Sequence, residues 1–503
     1  MLKLLTPLRR FLFPWSTVSR RNRDPWALDV PLITFSKGDE WTIGDATMGT
    51  AVFGSVGSGK TSGSGATIAK SFLSAGFGGL VLTAKPGESA TWWEYAEECG
   101  RVDDLIIVDA TSGDCFNFLD YERTRQGLGA GLTENIVVLV NNISEVLQRN
   151  QANAGRGDER FWRLSQDKLT RECIEILALA GEEVSVENLQ RLVLSAPASV
   201  AMTTTEEWQK RSFLFRCMEQ AENRISQTNR KRDFDHSFEY WFQEYAGLND
   251  KTRSIIVSSF TSTIDILGRG LLRQLFTGKT NLTPDAALEG KIIIIDLPTK
   301  EFFEVGQIAQ VIWKTQFQRC VERRDVNENP RPVFLWADEA HHFVTNNDQQ
   351  FATTCRASRA CTVYLTQSYS NFLAALGGDS GRAVVDSMLG CLQTKIFHAS
   401  GDSVTNEWAA EIVGKVRQFF TNYSEHREPI DILDLVMPFA CKPPSTTNGV
   451  TETMEYLLPP STFTTLACGG PRENWEVTGV LFQGGRVFSN GRPFMFVSFD
   501  QHH

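Results

Sequence analysis

Gly54-Ser-Val-Gly-Ser-Gly59-Lys60-Thr61 is the stretch that decides the predicted fold of this chain. It fits the pattern GxxxxGK[ST], follows the apolar run 49–53 and precedes a segment suited to a helix. Glycines at this spacing let the backbone turn tightly, so that successive N–H groups and the helix N-terminus point at phosphate oxygens. The pattern therefore predicts a phosphate-binding loop between a strand and a helix, and a glycine loop of purely structural role is the alternative.

The chemistry of a nucleoside triphosphate assigns a role to each of the last two residues of this motif. Lys60 is expected to bridge the β- and γ-phosphates of ATP, and Thr61 is expected to hold Mg²⁺. The residues expected to contact the nucleotide are Gly54, Gly57, Ser58, Gly59, Lys60, Thr61 and Ser62.

A second motif supplies the acidic partner that such a loop needs. The run Val333-Phe-Leu-Trp-Ala-Asp338-Glu339 is typical of a buried strand that ends in two carboxylates. Asp338 can bind Mg²⁺ through its water shell, and Glu339 can polarise the attacking water. Apolar runs that end in Asp are common, so this prediction depends on its pairing with the loop.

Further polar residues surround the next predicted strand, 362–366. Gln367 at its end is predicted either to hydrogen-bond the γ-phosphate or its attacking water, or to be an ordinary strand-end glutamine. Arg356 and Arg359 lie just upstream, and each is either an arginine finger for a neighbouring subunit or part of a surface salt bridge. His341 and His342 lack companion ligands at metal-binding spacing, so we expect packing or hydrogen-bonding roles for them.

The order of strand and helix signals predicts an α/β fold. Short apolar runs alternate with helical stretches up to about residue 125 and again after residue 290, which indicates a mostly parallel sheet covered on both faces. Residues 126–289 carry helical apolar spacing without convincing strands. We therefore predict a leader over 1–40, one P-loop domain formed by 41–125 and 290–503, and an all-α insertion domain over 126–289.

Composition and charge limit the functions that fit. The chain has 503 residues, of which 42% are apolar and 22% charged, as in soluble globular proteins. The formal charge of -10 disfavours a protein that coats nucleic acid with its whole surface, but it permits a small basic channel. Ten cysteines without a CxxC pair indicate reduced thiols. No stretch approaches the ~20 apolar residues of a membrane span, so we expect a cytoplasmic protein. Its apolar, basic N-terminus is expected to be a mobile tail, and contact with a membrane surface or a partner is the alternative.

Taken in order, these motifs resemble those of the conjugative coupling ATPases of type IV secretion, within the FtsK/HerA group of ring-forming DNA pumps. After the loop comes Lys85-Pro-Gly-Glu88, which looks like the family's Lys-Gly-Glu turn, and Phe161-Trp162, which looks like the start of its all-α domain. Asp338-Glu339 and Thr366-Gln367-Ser368 then follow in the family's order. The sequence departs from the family in lacking N-terminal transmembrane helices and in having Ala84 where the turn usually has Asp.

The resemblance implies a RecA-like P-loop NTPase domain that forms a homohexamer, with ATP and Mg²⁺ as cofactors and DNA as a partner. Each ATP would lie between the P-loop of one subunit and an arginine of the next. By the same likeness Lys60, Thr61, Asp338, Glu339 and Gln367 take the family's nucleotide roles. Arg356 is then the better finger candidate because of its spacing before Gln367.

The sequence leaves two functions open. One is an enzyme that couples ATP hydrolysis to DNA translocation or to transfer of a nucleoprotein. The other is a recruitment module in which ATP binding assembles the ring and the helical insertion selects a protein cargo, such as a relaxase or a secretion or defence partner. The basic residues proposed to contact DNA, each also explained as part of a solvated face, are Arg224, Arg230, Lys231, Arg232, Arg269, Arg273, Arg323 and Arg324.

Overall fold

The computed structural model describes residues 24–127, 129–149, 159–228, 230–426 and 445–501. The strands are β1 Pro31–Ser36, β2 Asp39–Thr42, β3 Thr50–Phe53, β4 Gly78–Leu82, β5 Leu105–Val108, β6 Ile292–Ile295, β7 Val333–Ala337, β8 Ala360–Thr366, β9 Thr394–Phe397, β10 Lys415–His426, β11 Ser445–Tyr456, β12 Glu476–Gln483 and β13 Phe494–Asp500.

The helices are distributed through the whole described chain. They are α1 Ile43–Ala46, α2 Ala66–Ser74, α3 Glu88–Glu98, α4 Phe118–Thr124, α5 Thr133–Arg149, α6 Glu159–Ala180, α7 Val186–Leu194, α8 Glu206–Arg211, α9 Phe213–Thr228, α10 Lys231–Glu239, α11 Asp250–Leu267, α12 Gly270–Phe276, α13 Thr299–Arg323, α14 Asn346–Thr354, α15 Tyr369–Leu376, α16 Gly378–Cys391 and α17 Ser403–Val413.

A nine-stranded sheet forms the centre of the molecule, in the order β13-β12-β9-β3-β8-β7-β4-β6-β5. The strands from β9 to β5 pair in parallel, whereas β12 pairs antiparallel with both β9 and β13. Every residue of β6 and of β7 is buried. Continuous apolar strands of this kind are expected where helices cover both faces of a parallel sheet, which is the predicted α/β arrangement.

The hairpin of β1 and β2 packs on one face of this sheet. The Trp41 ring is 1% exposed and stacks on Phe72 of α2 with 6.0 Å between ring centroids. The Trp41 indole N–H donates to Thr394 Oγ1 at 3.1 Å. Ile33 of β1 is buried in the same cluster as Trp41. Residues 31–40, grouped with the leader in the sequence prediction, therefore contribute to the core; two strands this short give only a weak periodic signal in the sequence.

Between β5 and β6 the described residues form helices and connecting turns without strands. Helix α6 packs against α9, and α5 packs against α13 of the sheet-covering layer. A buried hydrogen bond from Asn142 Nδ2 to Thr315 Oγ1, 3.1 Å long, crosses the contact between α5 and α13. The helical segment thus joins the sheet layer through a packed surface.

Strands β10 and β11 form a two-stranded sheet that is separate from the central sheet and from the β1–β2 hairpin. Strands β10 and β11 pair antiparallel from Lys415 with Tyr456 to His426 with Ser445. The described side chains of β10, from Lys415 to Tyr423, are all exposed. The proline-containing run 442–449 predicts a loop from its sequence. Residues 445–449 belong to β11 instead, and 442–444 lie outside the described residues.

Among the described residues, no single helix is both long enough and apolar enough to cross a membrane, although the pair α11 and α12, bent by 75°, meets the same criteria of length and composition.

Candidate active site

The loop that follows β3 takes the left-handed turns that its glycines allow. Gly57 and Gly59 have φ of 75° and 79°, a region that glycine enters without steric cost. A Cβ on Gly59 would come within 2.4 Å of Val477 Cγ2, and a Cβ on Gly54 within 2.3 Å of Ser58 Oγ. Glycine is thus required both for the turn and for the close approach of β12.

Lys60 leads into a π-helical turn, Thr61–Gly65, which continues as α2. Ser64 Oγ lies 2.7 Å from His398 Nε2, and His398 Nδ1 lies 2.9 Å from the Thr478 carbonyl oxygen. Because a carbonyl can only accept, Nδ1 carries the hydrogen and Nε2 accepts from the Ser64 hydroxyl. Burial disfavours the charged imidazolium and lowers the pKa of His398 to about 4. A neutral histidine therefore ties the loop helix to β12.

Two buried carboxylates face this loop from the end of β7. Thr61 Oγ1 donates to Asp338 Oδ2 at 3.2 Å, and Lys60 Nζ lies 3.3 Å from Glu339 Oε1. Strand β8 lies between β3 and β7, and the carboxyl ends of these parallel strands meet at one edge of the sheet. Glu339 has φ of 48°, a conformation uncommon for residues other than glycine and frequent at functional sites.

Gln367, at the end of β8, contacts the second of these carboxylates. Its Nε2 donates to Glu339 Oε1 at 3.1 Å. Burial alone would raise the pKa of Glu339, but the charge of Lys60, the Gln367 hydrogen bond and Lys85 outweigh it and lower the pKa to about 2. Glu339 is therefore a carboxylate throughout the physiological range.

Lys85 is a residue of this site that the sequence analysis did not assign to it. Its Nζ lies 3.1 Å from Asp338 Oδ2 and 3.1 Å from Glu339 Oε1. Burial would lower the pKa of Lys85, but the two carboxylates raise it above its ordinary value. The available signal was a lysine shortly after β4, the neighbour of β7 in the sheet; it could be used only once the strand order was known.

The site contains buried polar atoms that its own residues leave unsatisfied. Ser58 Oγ and Glu339 Oε2 have no hydrogen-bond partner among the described residues. Such atoms are rare in folded interiors and are expected where a ligand, ion or water completes the site. The Ser58 hydroxyl and the backbone turns of the loop fit a bound polyphosphate, whereas the free Glu339 oxygen fits a donor such as a water molecule. Thr61 and Asp338 lie side by side where a divalent cation could be held.

The two candidate arginine fingers lie before β8, at the opposite edge of the sheet from Lys60. Arg359 Nη1 donates to the Pro330 and Trp26 carbonyl oxygens at 2.8 and 3.1 Å, so its guanidinium is used within the subunit. Arg356 is exposed, and no ion pair or hydrogen bond of its side chain occurs within the described residues. Of these two arginines, Arg356 is thus the one whose guanidinium is not engaged by the part of the chain that the structure describes.

The histidines after Glu339 make local contacts. His341 Nδ1 lies 3.3 Å from Thr366 Oγ1, and the rings of His341 and His342 lie 4.3 Å apart. Burial, followed by the neighbouring His342, lowers the pKa of His341 to about 4. Within the described ranges no group of three or more His, Cys, Asp or Glu side chains is arranged to hold a metal ion.

Several of the basic residues proposed to contact DNA are used inside the subunit. Arg323 pairs with Glu122 at 2.7 Å, and Arg324 Nη1 donates to the Arg331 carbonyl at 2.7 Å. Arg230 pairs with acidic neighbours on both sides. The residues that remain exposed and without an ion pair inside the described ranges are Lys231, Arg232 and Arg273.

The sheet is mostly parallel, a glycine loop follows β3, and two carboxylates follow β7, which is separated from β3 by one strand. This arrangement defines a RecA-like P-loop NTPase fold. Residues 332–467 match a protein-family model described as the TraM recognition site of TraD and TraG. No curated protein sequence matches the chain.

Solved structures of conjugative coupling proteins share this fold over most of the chain. The bacterial conjugative coupling protein TrwBdeltaN70 in its unbound monoclinic form is 15% identical, with a TM-score of 0.58, and the match covers 91% of this chain and 86% of that one. The plasmid coupling protein TrwB in complex with ADP and Mg²⁺ is 14% identical, with a TM-score of 0.58 and coverage of 92% and 87%. The predicted resemblance to coupling proteins and the predicted fold class are thereby confirmed.

Proposed function

We propose that this chain is an ATPase of the conjugative coupling type, which works as a ring and couples ATP hydrolysis to the movement of DNA or of a nucleoprotein. One observation carries the proposal: Lys60 and Thr61 meet Asp338 and Glu339 within 3.3 Å at one edge of a parallel sheet. This juxtaposition has the parts needed to bind a triphosphate and to activate a water molecule.

ATP and Mg²⁺ are the proposed ligands of this site. The backbone N–H groups from Gly57 to Ser62 would cradle the phosphates, and Thr61 with Asp338 would hold the cation. Related coupling-protein structures support this assignment, because TrwB is described in complex with ADP and Mg²⁺ and with a non-hydrolysable ATP analogue. The bound cation would supply charge neutralisation at the phosphates.

The residues of this chain would then act in sequence. Lys60, which pairs with Glu339 in the structure, would pair with the phosphates instead, because they carry more negative charge than one carboxylate. Glu339 is left as an ionised acceptor that can orient a water molecule and take its proton. Gln367 keeps the Glu339 carboxylate turned toward the loop and, from the end of the adjacent strand, can itself contact that water.

In a ring, an arginine of the neighbouring subunit would complete the nucleotide site. Arg356 is exposed and lacks a described partner, as expected of a group that acts on a neighbouring molecule. A guanidinium placed at the phosphates of the next subunit would stabilise the charge that develops during transfer. Arg359 is the weaker candidate since its donors are already used by main-chain oxygens.

The recruitment function remains the second candidate, and two observations favour it. The family model that matches residues 332–467 is described as a recognition site for a protein, TraM. Arg323 and Arg324, proposed as part of a basic channel, are used inside the subunit. A module that binds ATP, assembles and selects a protein cargo would need neither of these arginines.

ATPase measurements with and without DNA separate the two functions. For a DNA pump, hydrolysis should rise when single-stranded or duplex DNA is added, and binding should weaken steeply with salt while showing little dependence on base sequence. The variant Arg232→Ala combined with Arg273→Ala should reduce that salt slope, and Arg324→Ala should instead lower stability. Rings that hydrolyse ATP equally with either DNA or none, and bind neither at low salt, would leave the recruitment function.

A further inference from the structure

Lys85 forms an ion pair with both buried carboxylates of the site. Its Nζ lies at the same distance, 3.1 Å, from one oxygen of Asp338 and one oxygen of Glu339. The side chains of both acids are 5% exposed, whereas that of Lys85 is 34% exposed. Two buried carboxylates this close need compensating positive charge, and Lys60 alone supplies only half of it.

The carboxylate oxygens that Lys85 contacts lie where the proposed cation and nucleotide would bind. Asp338 Oδ2 accepts from both Lys85 Nζ and Thr61 Oγ1, and this is the oxygen beside which a cation shared with Thr61 would sit. Glu339 Oε1 is shared by Lys60 and Lys85. If phosphates attract Lys60 and a cation takes Asp338, Lys85 is the positive group left beside Glu339.

The backbone that carries Lys85 is fixed, while its ammonium can move. Glu88 Oε2 accepts from the Ala84 N–H at 2.9 Å, and the Ala84 carbonyl accepts from the Lys300 N–H at 3.3 Å. These contacts hold the turn after β4 in place. The four-carbon stem of a partly exposed lysine can then change partner without any change of the main chain.

We propose that Lys85 is a positioning residue that serves as the built-in counter-ion of Asp338 and Glu339 before ligands arrive. When the metal-bound nucleotide binds, the Lys85 ammonium leaves Asp338, and the divalent cation takes its place there. Lys85 stays paired with Glu339 and keeps that carboxylate directed toward the loop. This inference rests on the proposed function, because it assumes that the site binds nucleotide and metal.

A counter-ion role makes a prediction that a structural role does not. Without the Lys85 charge, the site of the ligand-free protein carries one extra negative charge. A divalent cation alone should then bind more tightly, because it no longer competes with an ammonium, and a metal-free nucleotide should bind more weakly. Loss of a merely structural contact would weaken both.

The experiment uses the full chain and two probes that need no turnover. Mn²⁺ binding without nucleotide is measured by electron paramagnetic resonance, and ADP binding in EDTA is measured by calorimetry. For Lys85→Met, we expect Mn²⁺ to bind about tenfold more tightly and ADP about tenfold more weakly, given unit charges about 3 Å apart at a partly screened site. Lys85→Arg should behave like the parent in both, and Lys300→Met, which removes an exposed charge at the same edge, should change neither.

The outcomes separate this inference from the function on which it rests. A parent protein that binds neither Mn²⁺ nor ADP would overturn both. A parent that binds both, with Lys85→Met shifting the two affinities in the same direction or in neither, would overturn the counter-ion role alone. If Lys85→Met does not fold, Lys85→Gln is judged by the same two measurements, since it also removes the charge but keeps a polar end.

Discussion

The Gln367 side-chain amide donates to Glu339 Oε1 at 3.1 Å and so links the ends of β8 and β7. The two strands are paired in parallel along their length, with Ala337 opposite Tyr364. A movement at the tip of either strand therefore changes the orientation of the carboxylate proposed as the base. The contact therefore fixes the Glu339 carboxylate relative to the end of β8.

Replacing Gln367 should slow turnover without weakening nucleotide binding. In Gln367→Ala the Glu339 carboxylate loses one of its three donors, so we expect kcat to fall about 10²- to 10³-fold, as for loss of one positioned hydrogen-bond donor. Steady-state ATPase rates and ADP titration measure the two effects. Gln349→Ala, which removes an amide that contacts Ser387 away from the site, should leave both unchanged; equal losses in the two variants would contradict the role of Gln367.

Replacing Glu339 should separate binding from hydrolysis. Glu339→Gln keeps the shape but removes the proton acceptor, so hydrolysis should fall about 10²- to 10⁴-fold. Because Lys60 would no longer be held by a full charge, ATP should bind at least as tightly as in the parent. Single-turnover hydrolysis and nucleotide titration provide the measurement, with exposed Glu328→Gln as the matched control. Near-parental hydrolysis by Glu339→Gln would disprove the proposed base.

The two arginines before β8 should differ in their effect on stability. Arg359 donates to two main-chain oxygens, so Arg359→Ala should lower the free energy of unfolding by about 2 kcal/mol, the range for hydrogen bonds from a charged donor. Arg356→Ala should change it by less than about 0.5 kcal/mol, as an exposed substitution does. Denaturant titration of both variants tests this difference, and equal destabilisation would contradict it.

Arg356 should act between subunits. Arg356→Ala is expected to bind ATP and assemble, yet to lose hydrolysis. Mixing it with Lys60→Ala should restore part of the activity, because a mixed ring contains interfaces with intact Lys60 on one side and intact Arg356 on the other. Co-assembly must be verified by cross-linking. Co-assembled mixtures without any recovery would argue against a role across the interface.

The buried His398 should make stability depend on pH. Its pKa is about 4 in the folded protein against an ordinary value of 6.5, so the unfolded chain binds more protons between these values. The free energy of unfolding should therefore fall as the pH drops from 7 to 5, by about 2 kcal/mol for this one group. Denaturant midpoints across this range should show a shallower slope in His398→Gln than in the parent, while the exposed control His236→Gln keeps the parental slope.

How far the sequence could predict the site follows from the geometry of parallel strands. Lys60 and Asp338 are 278 positions apart, yet each follows a buried strand, and strands of one parallel sheet end at a common edge. This rule was enough to bring the loop and the two carboxylates together. The same rule was not enough for Lys85. A lysine that follows a strand can be assigned to the site only when that strand is known to lie beside β7 in the sheet.

Some strands could not be predicted because their sequences lack the alternation of apolar and polar residues that marks a half-buried strand. Strand β10 has Phe419 and Phe420 side by side and exposed on opposite faces, so no alternation of apolar and polar residues distinguishes it. The support of the loop by Val477 and His398 depends on tertiary contacts between distant segments. Residue patterns alone do not encode which distant strand comes to lie against a glycine.

The packing of β12 and β13 against the loop determines when during synthesis the site can form. Gly59 and Gly63 lie against Val477, and Gln501 Nε2 donates to Ser62 Oγ at 2.6 Å across 439 positions of sequence. At roughly 5–20 residues per second, the ribosome releases the loop about 20 to 90 seconds before the strands that shape it. The nascent chain thus carries the glycine motif early, but the strands that pack against the proposed phosphate-binding loop follow much later, and a chain that ended before β12 would lack the contacts of Val477 and Gln501 with that loop.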